Sequence, residues 1–444
     1  MPFISNTDSQ RRRMMEEIGI EAVDELFADI PAEIPRADLN IPPGKSELEV
    51  RERLRGLAEK NSSGLVCFLG AGFYDHYIPS AVGAIESRSE FYTAYTPYQA
   101  EGSQGTLQAM YEYQSGISAL TGLEVSNASL YDGGTAIYEA VMMSIRITGR
   151  RKIVMGRGMN PIYREMVSTY TGNLDVGFEE AALAEDGRAD RKKIEALIDN
   201  DTACVILQNP NFFGCVDDFS DIAETARARG ALLVVSCYPV SLGLLKTPGE
   251  MGADIAVGEA QSLGLGLYFG GPYLGFMAAK KKYVRQMPGR IAGQTVDSQG
   301  RRGFVLTLQT REQHIRRAGA TSNICSNEAL CALSAACYMS LLGKHGISEL
   351  AGLCSCKAGY ALERFSSIPG VKKKFSAPVF NEFALELPVE AGAVIGQLID
   401  KGIAAGSPLG YYYPELKNCM LVALTEKRTR EEIGCLAEAL AAAL

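Results

Sequence analysis

The chain has 444 residues, beyond the usual size of a single domain, so two structural units are expected. Apolar residues make up 47% and charged residues 22%, as in ordinary globular proteins. With 44 basic against 52 acidic residues the net charge is −8, which argues against a general nucleic-acid or membrane-surface role, because either needs a basic face.

The first residues read as an amphipathic helical arm, 1–64. Thr7 is placed to cap a helix over 7–19, and a short helix is predicted over 21–28. The stretch IPAEIPRADLNIPPG, 30–44, is spaced by prolines and is predicted extended. Ser46 and Glu49 form a capping-box pair for a helix reaching position 60.

From Leu65 the rhythm changes. Short β-rich runs alternate with helical segments: SNASLYD, then GGTAIYEAVMMSIRITG; RKIVMG, then a helix after Pro161; ACVILQN, then DIAETARARG; ALLVVS; the run 254–257; and PYLGFMAA. Near-continuous apolar strands separated by helices predict a mostly parallel sheet covered on both faces, in a large domain over 65–326. A long helix over 327–342 bridges to a small α/β domain, 327–444. There VFNEFALEL and NCMLVALT are predicted strands, EAGAVIGQLIDKG a helix, and a last helix starts near Arg428.

The eleven cysteines form no Cys-x-x-Cys pair, and Cys354 with Cys356 is too tight for zinc-finger spacing. Free thiols in a reducing cytoplasm are expected. Arg11–Arg13 are followed by MMEEIGIEAVDEL, too acidic for a signal or transit peptide, and no apolar run approaches membrane-spanning length. His76, His314 and His345 share no metal-ligand spacing, so no metal is expected. No Gly-x-Ser-x-Gly elbow occurs, and no cysteine–histidine pair has a nucleophile signature, which excludes the hydrolase readings.

Four stretches carry candidate chemistry. Asp132-Gly133-Gly134-Thr135, between a strand and a helix, can bring backbone N–H groups to a phosphate, or is a plain turn. The segment 89–114 holds Tyr92, Tyr95 and Tyr98 with Thr96, Gln99, Glu101, Ser103 and Gln104, a polar-aromatic loop suited to a planar or phosphorylated ligand. His314 lies among Arg311, Arg316 and Arg317, able to receive an anionic group or forming a solvated face. The glycine-rich stretch 252–271 ends a predicted strand, where open α/β sheets bind ligands. It offers Glu259, Gln261 and Ser262, and no lysine or histidine.

Taken together, FLGAGFYDHYIPS, EFYTAYTPYQAEGSQGTLQAMYEYQ, SLYDGGTAIYEA, SLGLGLYFGGPYLG and LTLQTREQHIRRAGATSNIC closely resemble the glycine decarboxylase P-protein family, the pyridoxal-phosphate component of the glycine cleavage system. Length and motif order match the first subunit of its split bacterial form. The resemblance implies an aspartate-aminotransferase-like, fold type I PLP-transferase architecture: a large three-layer αβα domain plus a small C-terminal α/β domain. In the family's catalytic subunit, an Asp pairs with the pyridine nitrogen and a His-Lys pair supplies the Schiff-base lysine. Here Ser236 stands at the Asp position, and Gln261 and Ser262 at the His and Lys positions.

By that resemblance this chain holds no pyridoxal phosphate, and no catalytic residue is expected on it alone. A PLP-bearing second subunit is the expected partner, in a heterotetramer with two of each chain. It would decarboxylate glycine and pass the aminomethyl group to the lipoyl arm of the H-protein. Contributions to the partner's site are expected from Tyr95, Thr96, Tyr98, Gln99, Glu101, Ser103, Gln104, Arg311, His314, Thr321, Ser322 and Asn323. The rival readings are a self-sufficient PLP enzyme using Lys246, and a non-catalytic scaffold.

Overall fold

The computed structural model describes residues 5–31, 33, 34, 40–268 and 270–444. The chain divides into two compact units, Met1–Ser63 and Gly64–Leu444. In the first, helix Asp8–Ile18 starts at Thr7, whose backbone N–H donates to Gln10 Oε1 at 2.8 Å, and it ends at Gly19 in the left-handed region. The second expected helix is a 3₁₀ turn, Val23–Phe27, with Glu25 accepting from the backbone N–H of Ala22. Helix Glu47–Ala58 begins on the expected Ser46–Glu49 capping box. Residues 32 and 35–39 of the proline-spaced stretch lie outside the described residues.

The second unit is built on a seven-stranded sheet. Its spatial order is Val125–Ser126, Gly275–Ala279, Ile255–Glu259, Leu232–Cys237, Thr202–Asn209, Lys152–Gly156, Gly177–Ala181. All neighbours run parallel except Gly275–Ala279, which is antiparallel to the strands on both sides. Successive strand residues point to opposite faces, and the core divides accordingly. Val205, Leu207, Leu233 and Val235 pack on one face with Ile117, Ile222 and Ala335. Cys204, Ile206, Val234 and Val257 pack on the other with Ile137, Val141 and Val167. Helices thus cover both faces, which is the three-layer arrangement the continuous apolar runs predict.

Several strands differ from expectation. SNASLYD yields only Val125–Ser126 and an isolated bridge at Leu130, because Ser129 takes φ 129° and breaks the extended path. Gly177–Ala181, an exposed edge strand, and the hairpin of Ile291–Val296 with Arg302–Thr307 were not expected.

A four-stranded antiparallel sheet, ordered Lys372–Lys373, Glu382–Glu386, Cys419–Ala423, Ser407–Pro408, packs under helices Ala391–Asp400 and Arg430–Ala443. Helix Ala329–Ser366 joins the two sheets: its early residue Ala335 sits in the large core and its late residues Ala361 and Phe365 in the small one. It breaks at Gly343 (φ 58°, ψ −172°), where the predicted helix ends; the second leg, 344–366, was not expected. No helix among the described residues is long and apolar enough to cross a membrane.

Candidate functional site

Strand Ile255–Glu259, paired with Leu232–Cys237, leads directly into the loop that carries Gln261 and Ser262. Ser236 lies beside Gln208 and Val257 in the sheet register, and Gln261 and Ser262 follow directly after Glu259. All three substituted positions are buried.

The pocket is filled from within. Gln261 pairs with the backbone of Tyr74 in both directions: its Oε1 accepts from Tyr74 N at 3.0 Å and its Nε2 donates to Tyr74 O at 3.2 Å. The same Nε2 donates to Leu265 O at 2.7 Å. This clamp holds the segment 70–76 against the loop. The Tyr74 ring packs at a tilt against Tyr238 with centroids 4.4 Å apart, and its hydroxyl donates to Glu382 Oε2 at 2.9 Å. Ser262 Oγ is buried without a partner.

Glu259 closes the remaining side. Its carboxylate accepts from Gly133 N at 2.9 Å, Gln261 N at 2.9 Å and Leu274 N at 3.0 Å. Gly133 is the first residue of helix Gly133–Thr148, itself capped by Asp132 Oδ1 on Thr135 N. Burial pushes the Glu259 carboxyl up to about 7 against the pull of those three donors, and burial likewise pushes Glu382 up to about 7.

Those two shifts have a definite sign. A carboxyl whose folded-state pKa lies above its unfolded value of 4.5 supports stability below 4.5 and loses that support as pH rises through 7. Unfolding midpoints in urea should therefore fall between roughly pH 5 and pH 8, with each group contributing about 3 kcal/mol. Glu382→Gln, whose amide can still serve Ala71 N and Tyr74 Oη, should remove about half of the slope. A midpoint that rises across that window would contradict both assignments.

Pyridoxal phosphate, which the resemblance implies for the system, does not fit these residues. Ser262 has no amine to form a Schiff base, Ser236 has no carboxylate to hold a pyridinium, and the helix terminus that would take a phosphate already carries Glu259. Beside Gln261 there remains a cleft of about 210 Å³, lined by Tyr74, His76, Leu265 and Lys427 among others. Lys246 does not line it: its ammonium is tied to Asp218 Oδ2 at 2.9 Å and Ser220 Oγ at 2.7 Å, on the rim of a separate cleft.

Next to this pocket, folding gathers His76, Cys354 and Glu426, with ligand atoms within 4.8 Å of one another. Sequence spacing could not show this cluster. Both ring nitrogens of His76 are engaged, Nδ1 with Glu426 at 2.6 Å and Nε2 with the Tyr238 hydroxyl, and burial pushes the Cys354 thiol up to about 12. The arrangement is that of a satisfied buried histidine.

Some of the expected partner-site residues, Tyr98, Arg311, His314, Thr321 and Ser322, lie around a second locus. Tyr98 stacks edge-on to His314, centroids 5.4 Å apart, and its hydroxyl accepts from Arg290 Nη2 at 3.0 Å. Arg290 also donates to Cys325 O at 2.7 Å and Ser326 Oγ at 3.0 Å, so it ties the tyrosine loop to the segment holding Thr321, Ser322 and Asn323. Arg311 is held by Leu308 O and Gly289 O, and Thr321 N donates to Arg311 O. Ser322 donates to the buried Glu139. The cavity between Arg290, Arg311 and Ser322 is about 10 Å³, room for one water. This locus alone is no ligand pocket.

Around it, Tyr95, Gln99, Glu101 and Asn323 are exposed, with Tyr95 at 82%, while Thr96 and Ser103 are half-buried. Gln104 instead pairs with both backbone groups of Phe304 and anchors the hairpin. Arg290, 3% exposed, was missed by sequence reasoning; the only signal was a lone arginine in PGRIAG.

The model of the glycine cleavage system P-protein family matches residues 1–440. The "probable glycine dehydrogenase (decarboxylating) subunit 1" of Geotalea uraniireducens is 55% identical over 444 residues, covering all of both chains. Among solved structures, an inhibitor-bound glycine decarboxylase (P-protein) of the glycine cleavage system superposes with a TM-score of 0.92 at 42% identity, again over the whole of both chains. A sphingosine-1-phosphate lyase from Burkholderia pseudomallei shares the fold, with a TM-score of 0.66 at 14% identity over 93% of each chain.

Proposed function

The chain belongs to the glycine cleavage system P-protein family, and on that premise we propose that it is the cofactor-free first subunit of a split glycine decarboxylase. The observation that carries this reading is the filled pocket. A chain matching the family throughout has no amine at Ser262, and its helix terminus is held by Glu259. The numbering of its relatives as subunit 1 supports a second subunit, to which we assign the pyridoxal phosphate.

In this reading the pair takes glycine, releases carbon dioxide and passes the aminomethyl group to the lipoyl arm of an H-protein. Pyridoxal phosphate on the second subunit supplies the electron sink for decarboxylation. This chain supplies shape and contacts. The tyrosine loop around Tyr95, Thr96, Tyr98, Gln99, Glu101 and Ser103 and the segment Thr321, Ser322 and Asn323 face the partner's site and exclude water from it. Gln104 fixes the loop's base, and Arg311 and His314 hold its neighbours. Exposed tyrosines such as Tyr95 suit an interface, where their rings bury area at low entropic cost. We further assign the two sheets to a large domain, 65–326, and a small one, 327–444, and place the pair in the cytoplasm as a tetramer with two of each chain.

Glycine–bicarbonate exchange tests the reading. The purified chain should show neither exchange nor a borohydride-fixed pyridoxal adduct, and exchange should appear when the second subunit is added. Within the reconstituted pair, Tyr95→Ala and Ser322→Ala should lower exchange while the chains still co-purify. Exchange by the chain alone, or an adduct at Lys246, would overturn the assignment.

A further inference from the structure

We propose that His76, Cys354 and Glu426 form a binding site for one zinc ion per chain, bonded through His76 Nδ1, Cys354 Sγ and a carboxylate oxygen of Glu426. The proposal concerns this chain by itself and does not depend on a second subunit.

Three distant segments meet at the cluster. His76 ends the segment that Gln261 clamps, Cys354 stands on the second leg of helix Ala329–Ser366, and Glu426 follows strand Cys419–Ala423. Cys354 is fully buried, and the side chains of His76 and Glu426 are 1% and 15% exposed. Glu426 Oε2 stands 2.6 Å from His76 Nδ1 and 3.8 Å from Cys354 Sγ, and the ligand atoms all lie within 4.8 Å of one another. Ligand atoms around a tetrahedral zinc stand about 3.3–3.7 Å apart. The sulfur is therefore already in place, and the imidazole has to draw back by less than about 1 Å.

Ligand type and charge select the cation. One nitrogen, one sulfur and one oxygen ligand together suit zinc. His76 Nε2 meets the Tyr238 hydroxyl, the kind of outer partner that fixes the ring of a metal-ligating histidine. The other carboxylate oxygen, Glu426 Oε1, accepts from Tyr77 N at 2.6 Å, which sets the carboxylate's orientation. Among the described residues no lysine or arginine side chain pairs with this carboxylate, and its one counter-charge is His76, when protonated. Lys357 donates to the main-chain carbonyl of Glu426 instead, and Lys427 is tied to Asp75 at 2.6 Å. Zinc binding sends the thiol proton to solvent and leaves the imidazole one proton, on Nε2. One dication, one thiolate and one carboxylate then sum to zero. His76 also lines the cleft of about 210 Å³, which gives the ion a path and a water the room to take the fourth position.

The test titrates the full chain, stripped with a chelator and kept reduced, with cobalt(II) as a spectroscopic stand-in for zinc. The expected result is one cobalt per chain with a thiolate-to-cobalt charge-transfer band, lost when zinc is added. Cys354→Ser should abolish the band, whereas Cys435→Ser, at an exposed thiol, should keep it. Zinc should raise the Tm of the parent saturably and leave that of Cys354→Ser unmoved. If Cys354→Ser does not fold, Glu426→Gln is measured in its place and should bind zinc at least about tenfold more weakly than the parent. A parent that takes up no cobalt, a band that survives Cys354→Ser, or an unchanged affinity in Glu426→Gln would overturn the proposal.

Discussion

Gly214→Ala should leave the chain largely unfolded, lowering stability by more than about 4 kcal/mol. Gly214 has φ +81°, and a Cβ there would lie 1.7 Å from the carbonyl oxygen of Glu382 and 2.4 Å from its carbonyl carbon. Both are backbone atoms, so no rotamer change relieves the overlap. The contact joins the turn after strand Thr202–Asn209 to strand Glu382–Glu386, where Phe380 N donates to Gly214 O. Pushing that strand away also withdraws the Glu382 carboxylate from Ala71 N and Tyr74 Oη, so the pocket's closing segment loses its anchor. Gly402 provides the control: it has φ +80° and nothing within 4 Å of an added Cβ, so Gly402→Ala should cost only the conformational strain, about 1 kcal/mol. Urea denaturation of the two variants side by side decides the matter. Similar midpoints for both would mean the close approach at Glu382 is wrong.

What the sequence made legible follows from burial. Strands such as Thr202–Asn209 and Leu232–Cys237 are covered on both faces, so they appear as unbroken runs of Val, Ile and Leu. Strand Gly177–Ala181 is exposed at its first four positions and carries no apolar pattern to find. The second leg of helix Ala329–Ser366 escapes because Gly343 and the glycine after His345 read as stop signals, whereas the backbone absorbs the break at Gly343 and resumes. At the pocket, Ser236, Gln261 and Ser262 are visible as substitutions only against a family pattern. Their replacement partners are not visible at all: Gln261 clamps a backbone 187 positions away and Glu259 reaches a helix start 126 positions away. The tyrosine loop stands out in the sequence as a polar-aromatic stretch, but its organising contact comes from Arg290, 192 positions on from Tyr98.

Arg290 is therefore where the shared-site reading can be pressed hardest. Its guanidinium is 3% exposed, lies 5.4 Å from the centre of the Tyr98 ring and donates to three groups on two segments. No other described residue links Tyr98 to the chain at Cys325 and Ser326 so directly. Arg290→Ala leaves a buried carbonyl and two hydroxyls to find new partners, at a cost of about 2–4 kcal/mol. That loss frees the tyrosine loop relative to Ser322 without altering any group on the second subunit. Glycine–bicarbonate exchange by the reconstituted pair should then drop by roughly tenfold or more, equal to about 1.4 kcal/mol in the barrier. Arg290→Lys keeps the charge but not the planar fork, and should recover only part of the activity. Tyr98→Phe, which removes one of the three acceptors, should fall between Arg290→Ala and the parent. A residue that only held this chain together would lower exchange in proportion to the folded fraction. A positioning residue lowers it in the fully folded, co-purifying pair, so exchange is normalised to assembled complex. Arg290→Ala activity within about twofold of the parent on that basis would remove the locus from the partner's active site.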